Sequence, residues 1–205
     1  MFKNNFLFIF DDVLEENLVE SLNKEIINQK LPNPLHFVKK DKLNSNTNIA
    51  HEVISNIWFD KLSFLNDNTI CGFECWFNSM RKGGLHLHVD CDEKHYHDYS
   101  EIVPPKYTSV FYAGPKNSIV GGELAINLNG ITYFTDNKNP DIQQQPEKIK
   151  KDTKNWITIP YKYNRLIVFD SQAAHCVLDI ESGTENDPRV TFTMTAWDKE
   201  IQVLT

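Results

Sequence analysis

Between residues 71 and 197 the chain is a succession of short apolar segments separated by turn-rich pieces such as "AGPKNS", "NLNG" and "ESGTENDP". Segments of this length with that punctuation read as strands. They are Cys71–Ser79, Leu85–Asp90, Tyr107–Tyr112, Gly122–Leu128, Ile131–Thr135, Trp156–Tyr161, Arg165–Asp170, Cys176–Asp179 and Arg189–Trp197. Many short strands behind an N-terminal helical section restrict the chain to a mainly β fold, a sandwich or jelly-roll barrel with helices packed outside. The last strand sets the two faces apart. In "RVTFTMTAW", Val190, Phe192, Met194 and Ala196 share one face, and Arg189, Thr191, Thr193 and Thr195 share the other.

Ahead of the strands lie a short strand over Phe6–Phe10 and a helix that Asp11 or Asp12 can cap. Leu14, Leu18, Leu22 and Ile26 draw one apolar stripe along that helix, and Pro32 and Pro34 end it. A second helix covers Ile49–Leu65, with looser spacing. The 205 residues read as one domain, with 1–69 supporting a core over 70–199. Residues 136–154 are polar, without an apolar period, and read as a long surface loop, either a lid or disordered.

A net charge of −7 argues against nucleic acid, whose phosphates need a basic surface; "KIKKDTK" at 148–154 is the one basic run. The four cysteines form no C-x-x-C pair, and no apolar run has the length of a signal peptide or a membrane span. A cytoplasmic chain with reduced thiols is expected.

The candidate chemistry begins in "GGLHLHVDCDE". On a strand, His86, His88 and Asp90 share one face, and Leu85, Leu87 and Val89 the other. "NRLIVFDSQAAHCVLDI" then brings His175 after an apolar strand, and Arg189 heads the hydroxyl-lined face of the last strand. If that face points inward, the guanidinium needs an anionic partner, and no carboxylate shares its strand face. A bound carboxylate ligand would satisfy it with paired hydrogen bonds. Two histidines and one carboxylate on one face are the donor set of non-haem iron(II) oxygenases.

On His88, Asp90, His175 and Arg189 the sequence resembles the Fe(II)/2-oxoglutarate-dependent dioxygenases, in their prolyl 4-hydroxylase-like branch. "YTSVFYAG" and "GGELAI" are similar to the segments between that family's ligands, and "NRLIVFDSQAAHCV" to the strand before its second histidine. Arg189 stands 14 positions after His175, a wider gap than the family's, with "DIESGTENDP" as an extended turn that absorbs it. The resemblance covers about residues 70–199. It implies a double-stranded β-helix core, Fe(II) held by His88, Asp90 and His175, and 2-oxoglutarate held through Arg189, Tyr112 and Thr108. Dioxygen would be consumed, with succinate and CO2 as co-products and ascorbate as a candidate reductant.

The resemblance also implies hydroxylation of a prolyl residue in a peptide or protein. Rival readings stay open: a small-molecule or free amino-acid hydroxylase, a non-catalytic cupin-like metal-binding module, and a nucleic-acid demethylase, which the acidic balance disfavours. Tyr112 reads equally as a core aromatic. Trp76 and Asn78 are candidates to line the pocket, and His95 and His97 are expected on an exposed loop. Cys91 and Cys176 read as small buried hydrophobes.

Overall fold

Strands with apolar residues on both faces must be covered on both sides, and two facing sheets with an outer helical layer do this here. The structure, a computed structural model, describes residues 6–31, 35–45, 48–136 and 141–202. In chain order the elements are β1 (Leu7–Phe10), α1 (Glu16–Ile27), β2 (Leu35–Lys39), α2 (Ile49–Ser55), β3 (Gly72–Met80), β4 (Gly83–His88), α3 (Glu93–Tyr99) and β5 (Tyr107–Gly114). There follow β6 (Val120–Gly121), β7 (Leu124–Asn127), α4 (Gly130–Asp136), α5 (Pro146–Lys151), β8 (Trp156–Ile159), β9 (Leu166–Asp170), β10 (Ala174–Ser182) and β11 (Arg189–Trp197).

One sheet has the order β1-β9-β5-β11-β3-β2 and the other β4-β10-β7-β8, with β6 added to β10. All the pairings are antiparallel. This is the jelly-roll core expected of the strand pattern, with the helical section on one side. β11 lies between β3 and β5, pairing with β3 from Arg189↔Met80 to Trp197↔Gly72. Val190, Phe192, Met194 and Ala196 pack with Val19, Leu22, Val53 and Ile57 of the helical layer. The sheets meet over a second cluster, in which Val110, Tyr112, Ile167 and Phe169 face Leu124, Ile126, Ile159 and Val177. Each residue of β11 is therefore buried, which suits a strand covered on both faces.

The helices differ from expectation at their ends. α1 begins at Glu16 with no side-chain cap, burying Val19, Leu22 and Ile26. Asp11, expected to cap it, instead grips Arg165 at 2.7 Å and Lys162 at 2.9 Å, which holds its carboxyl down at about 2. The helix stops at Ile27, and Pro32 and Pro34 lie outside the described residues. The expected helix over 49–65 is three pieces: α2, capped by the Asn48 side chain, a π turn over Asn56–Lys61 and a 3-10 turn over Ser63–Leu65. The wider π turn explains why the apolar spacing fits 3.6 residues only loosely.

Two further expectations are corrected. Ile131–Thr135, read as a strand, lies within helix α4. Residues 141–154, read as part of a surface loop, form a 3-10 turn over Ile142–Gln144 and helix α5, with Ile142 and Ile149 buried against the outer face of the smaller sheet. Residues 137–140 lie outside the described residues. Two of the four lysines in the basic run at 148–154 are answered from within: Lys150 pairs with Glu123 at 2.6 Å, and Lys151 lies 3.8 Å from Glu147. All four cysteines are free, and among the described residues no helix is long and apolar enough to cross a membrane.

Candidate active site

His88 ends β4, His175 is the second residue of β10, and the two are directly paired across the smaller sheet. Cross-strand partners project to the same side, so their rings meet with centroids 4.2 Å apart. Asp90 follows two residues on, and its carboxylate lies 3.8 Å from Nε2 of each histidine. Ligand atoms of His88, Asp90 and His175 all fall within 4.8 Å of one another. These separations are too long for hydrogen bonds and leave the donors facing a common point. Nδ1 of His88 is 2.7 Å from the His86 carbonyl, and Nδ1 of His175 is 3.0 Å from the Ala173 carbonyl. A carbonyl only accepts, so each Nδ1 carries the proton and each Nε2 presents its lone pair to the shared point. The Thr108 hydroxyl on β5 donates to Asp90 Oδ2 at 2.7 Å and fixes the carboxylate. Burial, and next the neighbouring His88, lower the His175 imidazole to about 4. It is therefore neutral at neutral pH, the form a metal needs.

His86 does not join this group. Between His88↔His175 and Leu85↔Val177, β4 spends one residue more than β10. That bulge resets the alternation, so Leu85 packs between the sheets while Leu87 and Val89 pack outside with Trp156 and Cys176. The His86 ring meets Asp141 at 2.9 Å and Gln143 at 3.2 Å. Asp92, too, leaves the strand: its carboxylate caps α3 through His95 N–H at 3.0 Å and pairs with Lys199 at 3.1 Å. His95 and His97 consequently sit on a helix rather than a loop, paired with Glu101 and Asp98.

Further along the inner face of the larger sheet, Arg189 is 1% exposed, and among the described residues Nε and both terminal nitrogens have no hydrogen-bond partner. Its guanidinium carbon lies 4.9 Å from the centroid of Tyr112, whose buried hydroxyl is also unpartnered. Gly122, at φ +69°, passes close by; a Cβ there would stand 3.3 Å from Arg189 Cδ. A buried cation without an internal counter-charge is costly unless an anion joins it. The orphaned guanidinium and phenol together fit a carboxylate arriving from outside the chain. The wide gap after His175 is taken up by β10 running to Ser182 before the turn into β11.

An open cavity of roughly 600 Å³ borders His88 and Asp90, with Glu74, Trp76 and Asn78 of β3 along one wall. Asn78 thus lines the pocket, and so does Trp76, whose sequence position read more readily as simple core. Glu74 has the same parity and was legible on that ground, yet the sequence reading passed over it. Burial, with Asp90 and Glu93 nearby, raises its carboxyl to about 7. Cys91 borders the same cavity, and burial lifts its thiol to about 11, which keeps it protonated.

No protein-family model and no curated sequence matches the chain. Solved structures do. A prolyl-4-hydroxylase from Pseudomonas putida superposes with a TM-score of 0.60 at 14% identity, over 97% of this chain and 88% of that one. HygX from Streptomyces hygroscopicus, solved with nickel and 2-oxoglutarate bound, gives 0.51 at 12% identity, over 92% and 82%. A truncated viral collagen prolyl hydroxylase from Paramecium bursaria Chlorella virus-1 gives 0.51 at 16%, over 93% and 88%. The chain shares the fold of these prolyl hydroxylases and of HygX.

Proposed function

We propose that the protein is an Fe(II)- and 2-oxoglutarate-dependent dioxygenase that hydroxylates a C–H bond of a prolyl residue in a peptide or protein. The carrying observation is that one barrel interior holds both the His88–Asp90–His175 cluster and the unpartnered, buried Arg189. One group of atoms suits a divalent cation with open coordination positions, and the other suits a carboxylate. The HygX structure holds 2-oxoglutarate and a metal, and two of the structural neighbours are prolyl hydroxylases, which supports the choice of co-substrate and target.

When bound, iron(II) would activate dioxygen, the oxidant, and 2-oxoglutarate would supply two of its four electrons: one oxygen atom goes to the substrate carbon and one to succinate, with CO2 released. The chain's own residues do the holding. His88 and His175 offer Nε2 because main-chain carbonyls occupy Nδ1. Thr108 orients Asp90. Arg189 and Tyr112 take the distal carboxylate of 2-oxoglutarate and set its depth. In this reading residues 70–199 are the catalytic core, while 1–69 supply the two edge strands of the larger sheet, β1 and β2, and the helices that back it.

The test is an anaerobic titration of metal-free protein with iron(II) and then 2-oxoglutarate, followed by exposure to air with a prolyl peptide. A visible charge-transfer band should form, vanish in His175→Ala and require at least tenfold more 2-oxoglutarate in Arg189→Ala. The peptide should then gain one oxygen atom. Folded protein that shows no band would refute the oxygenase reading; a band without peptide oxidation would refute the prolyl target.

A further inference from the structure

One wall of the cavity beside the metal-ligand cluster carries a carboxyl that no basic side chain among the described residues answers. Glu74 is inward-facing because β3 is locked to β11 in register, with Glu74 opposite Thr195. Its carboxylate is half-buried, and its nearest side-chain donor is the Thr195 hydroxyl at 3.4 Å. Among the described residues no lysine, arginine or histidine forms an ion pair with it. Several other shielded carboxylates do have such partners: Asp11 has Arg165, Asp67 has Lys106, Asp92 has Lys199 and Glu123 has Lys150; Asp170, buried without one, lines a separate cavity. Nor does Glu74 belong to the metal-ligand cluster. The cavity it lines contains no basic side chain other than His86 and His88, and Glu93 adds a second negative charge at its edge.

Loading the site does not remove the imbalance. The charges of iron(II), Asp90, the 2-oxoglutarate dianion and Arg189 cancel among themselves, which leaves Glu74 and Glu93 uncompensated. Trp76 lies beside Glu74 on the same wall. An indole face and a carboxylate side by side suit a cation and offer little to an anion.

We infer that Glu74, with Trp76, selects a substrate that brings a positively charged nitrogen close to the carbon to be oxidised. That nitrogen belongs either to a lysine or arginine beside the target residue of a peptide, or to the free amine of an amino acid. The inference rests on the oxygenase reading and narrows it. A cationic nitrogen would hold the Glu74 carboxyl ionised and paired, whereas a neutral peptide segment offers it no counter-charge and would bind more weakly for that reason.

The experiment uses full-length protein loaded anaerobically with iron(II) and 2-oxoglutarate, and follows the charge-transfer band as probes are added. One arm compares N-acetyl-prolyl-lysine amide with its Nε-acetyl-lysine counterpart; the other compares free L-proline with N-acetyl-proline. Within each pair the two members differ chiefly in the positive charge. In at least one arm the charged member should shift the band at a concentration at least tenfold below its neutral partner, and that arm identifies the source of the nitrogen. Glu74→Gln should still form the band and should bind the two members of that pair alike. Equal binding of charged and neutral members by the wild type overturns the inference with the band intact. So does a preference that survives Glu74→Gln, or binding of neither charged probe. Absence of the band in folded protein removes the oxygenase reading, and this inference with it.

Discussion

Arg189 holds a full charge at 1% exposure with all three guanidinium nitrogens unpartnered. Its direction was legible: parity along "RVTFTMTAW" sets it on the hydroxyl face, and β11 turns that face inward. What the sequence could not show is that no carboxylate among the described residues pairs with it from another strand. An uncompensated buried cation costs several kcal/mol in the empty protein, and this makes a prediction with an unusual sign. Arg189→Met, close in volume and without charge, should leave metal-free protein as stable as the wild type or more stable. It should also weaken 2-oxoglutarate binding by at least tenfold. Denaturant midpoints of the two metal-free proteins, with 2-oxoglutarate titrations beside them, measure both effects. A loss of about 3 kcal/mol or more in the metal-free variant would mean that Arg189 is paired within the protein, and the open carboxylate site would fall.

At the level of elements, strands with strict alternation were the most legible. Arg189–Trp197 has the bounds read from the sequence, because both its faces are specified by side-chain type. "ITYFT" misled for the opposite reason. Its β-branched and aromatic residues favour a strand by composition, but α4 lays Ile131, Tyr133 and Phe134 over the smaller sheet, with Tyr133 edge-on to Trp156 at 5.3 Å. The bulge in β4 was equally out of reach, since it depends on how β10 pairs with it. In 141–151 only Ile142 and Ile149 are apolar enough to matter, seven residues apart in a polar background. Each is 1% exposed, so the segment is a packed cover rather than a free loop. Ile149→Ala should therefore cost roughly 2–4 kcal/mol of unfolding free energy, read from the shift of the denaturant midpoint. A change below about 0.5 kcal/mol, typical of a surface position, would show the segment to be detached from the sheet.

On the scale of the whole molecule, the site draws its parts from both sheets. His88 and His175 come from β4 and β10 of the smaller sheet, whereas Thr108, Tyr112 and Arg189 come from β5 and β11 of the larger one. Metal and co-substrate bound between them would tie the two sheets together, and anything that binds only the folded state stabilises it. Under the proposed function the tie would be complete only when both are present, because one end of 2-oxoglutarate would bind the metal and the other Arg189. At a hundredfold excess over its dissociation constant a ligand adds about 2.7 kcal/mol. For a chain of this size each kcal/mol raises the melting temperature by roughly 2–4 °C. Anaerobic melting with iron(II) and 2-oxoglutarate together should therefore exceed the metal-free value by about 5–10 °C, and by more than the sum of the separate shifts. A chelator should reverse it. If 2-oxoglutarate raises the melting temperature equally without metal, then Arg189 binds carboxylates on its own account, and the His88–Asp90–His175 cluster takes no part in holding the co-substrate.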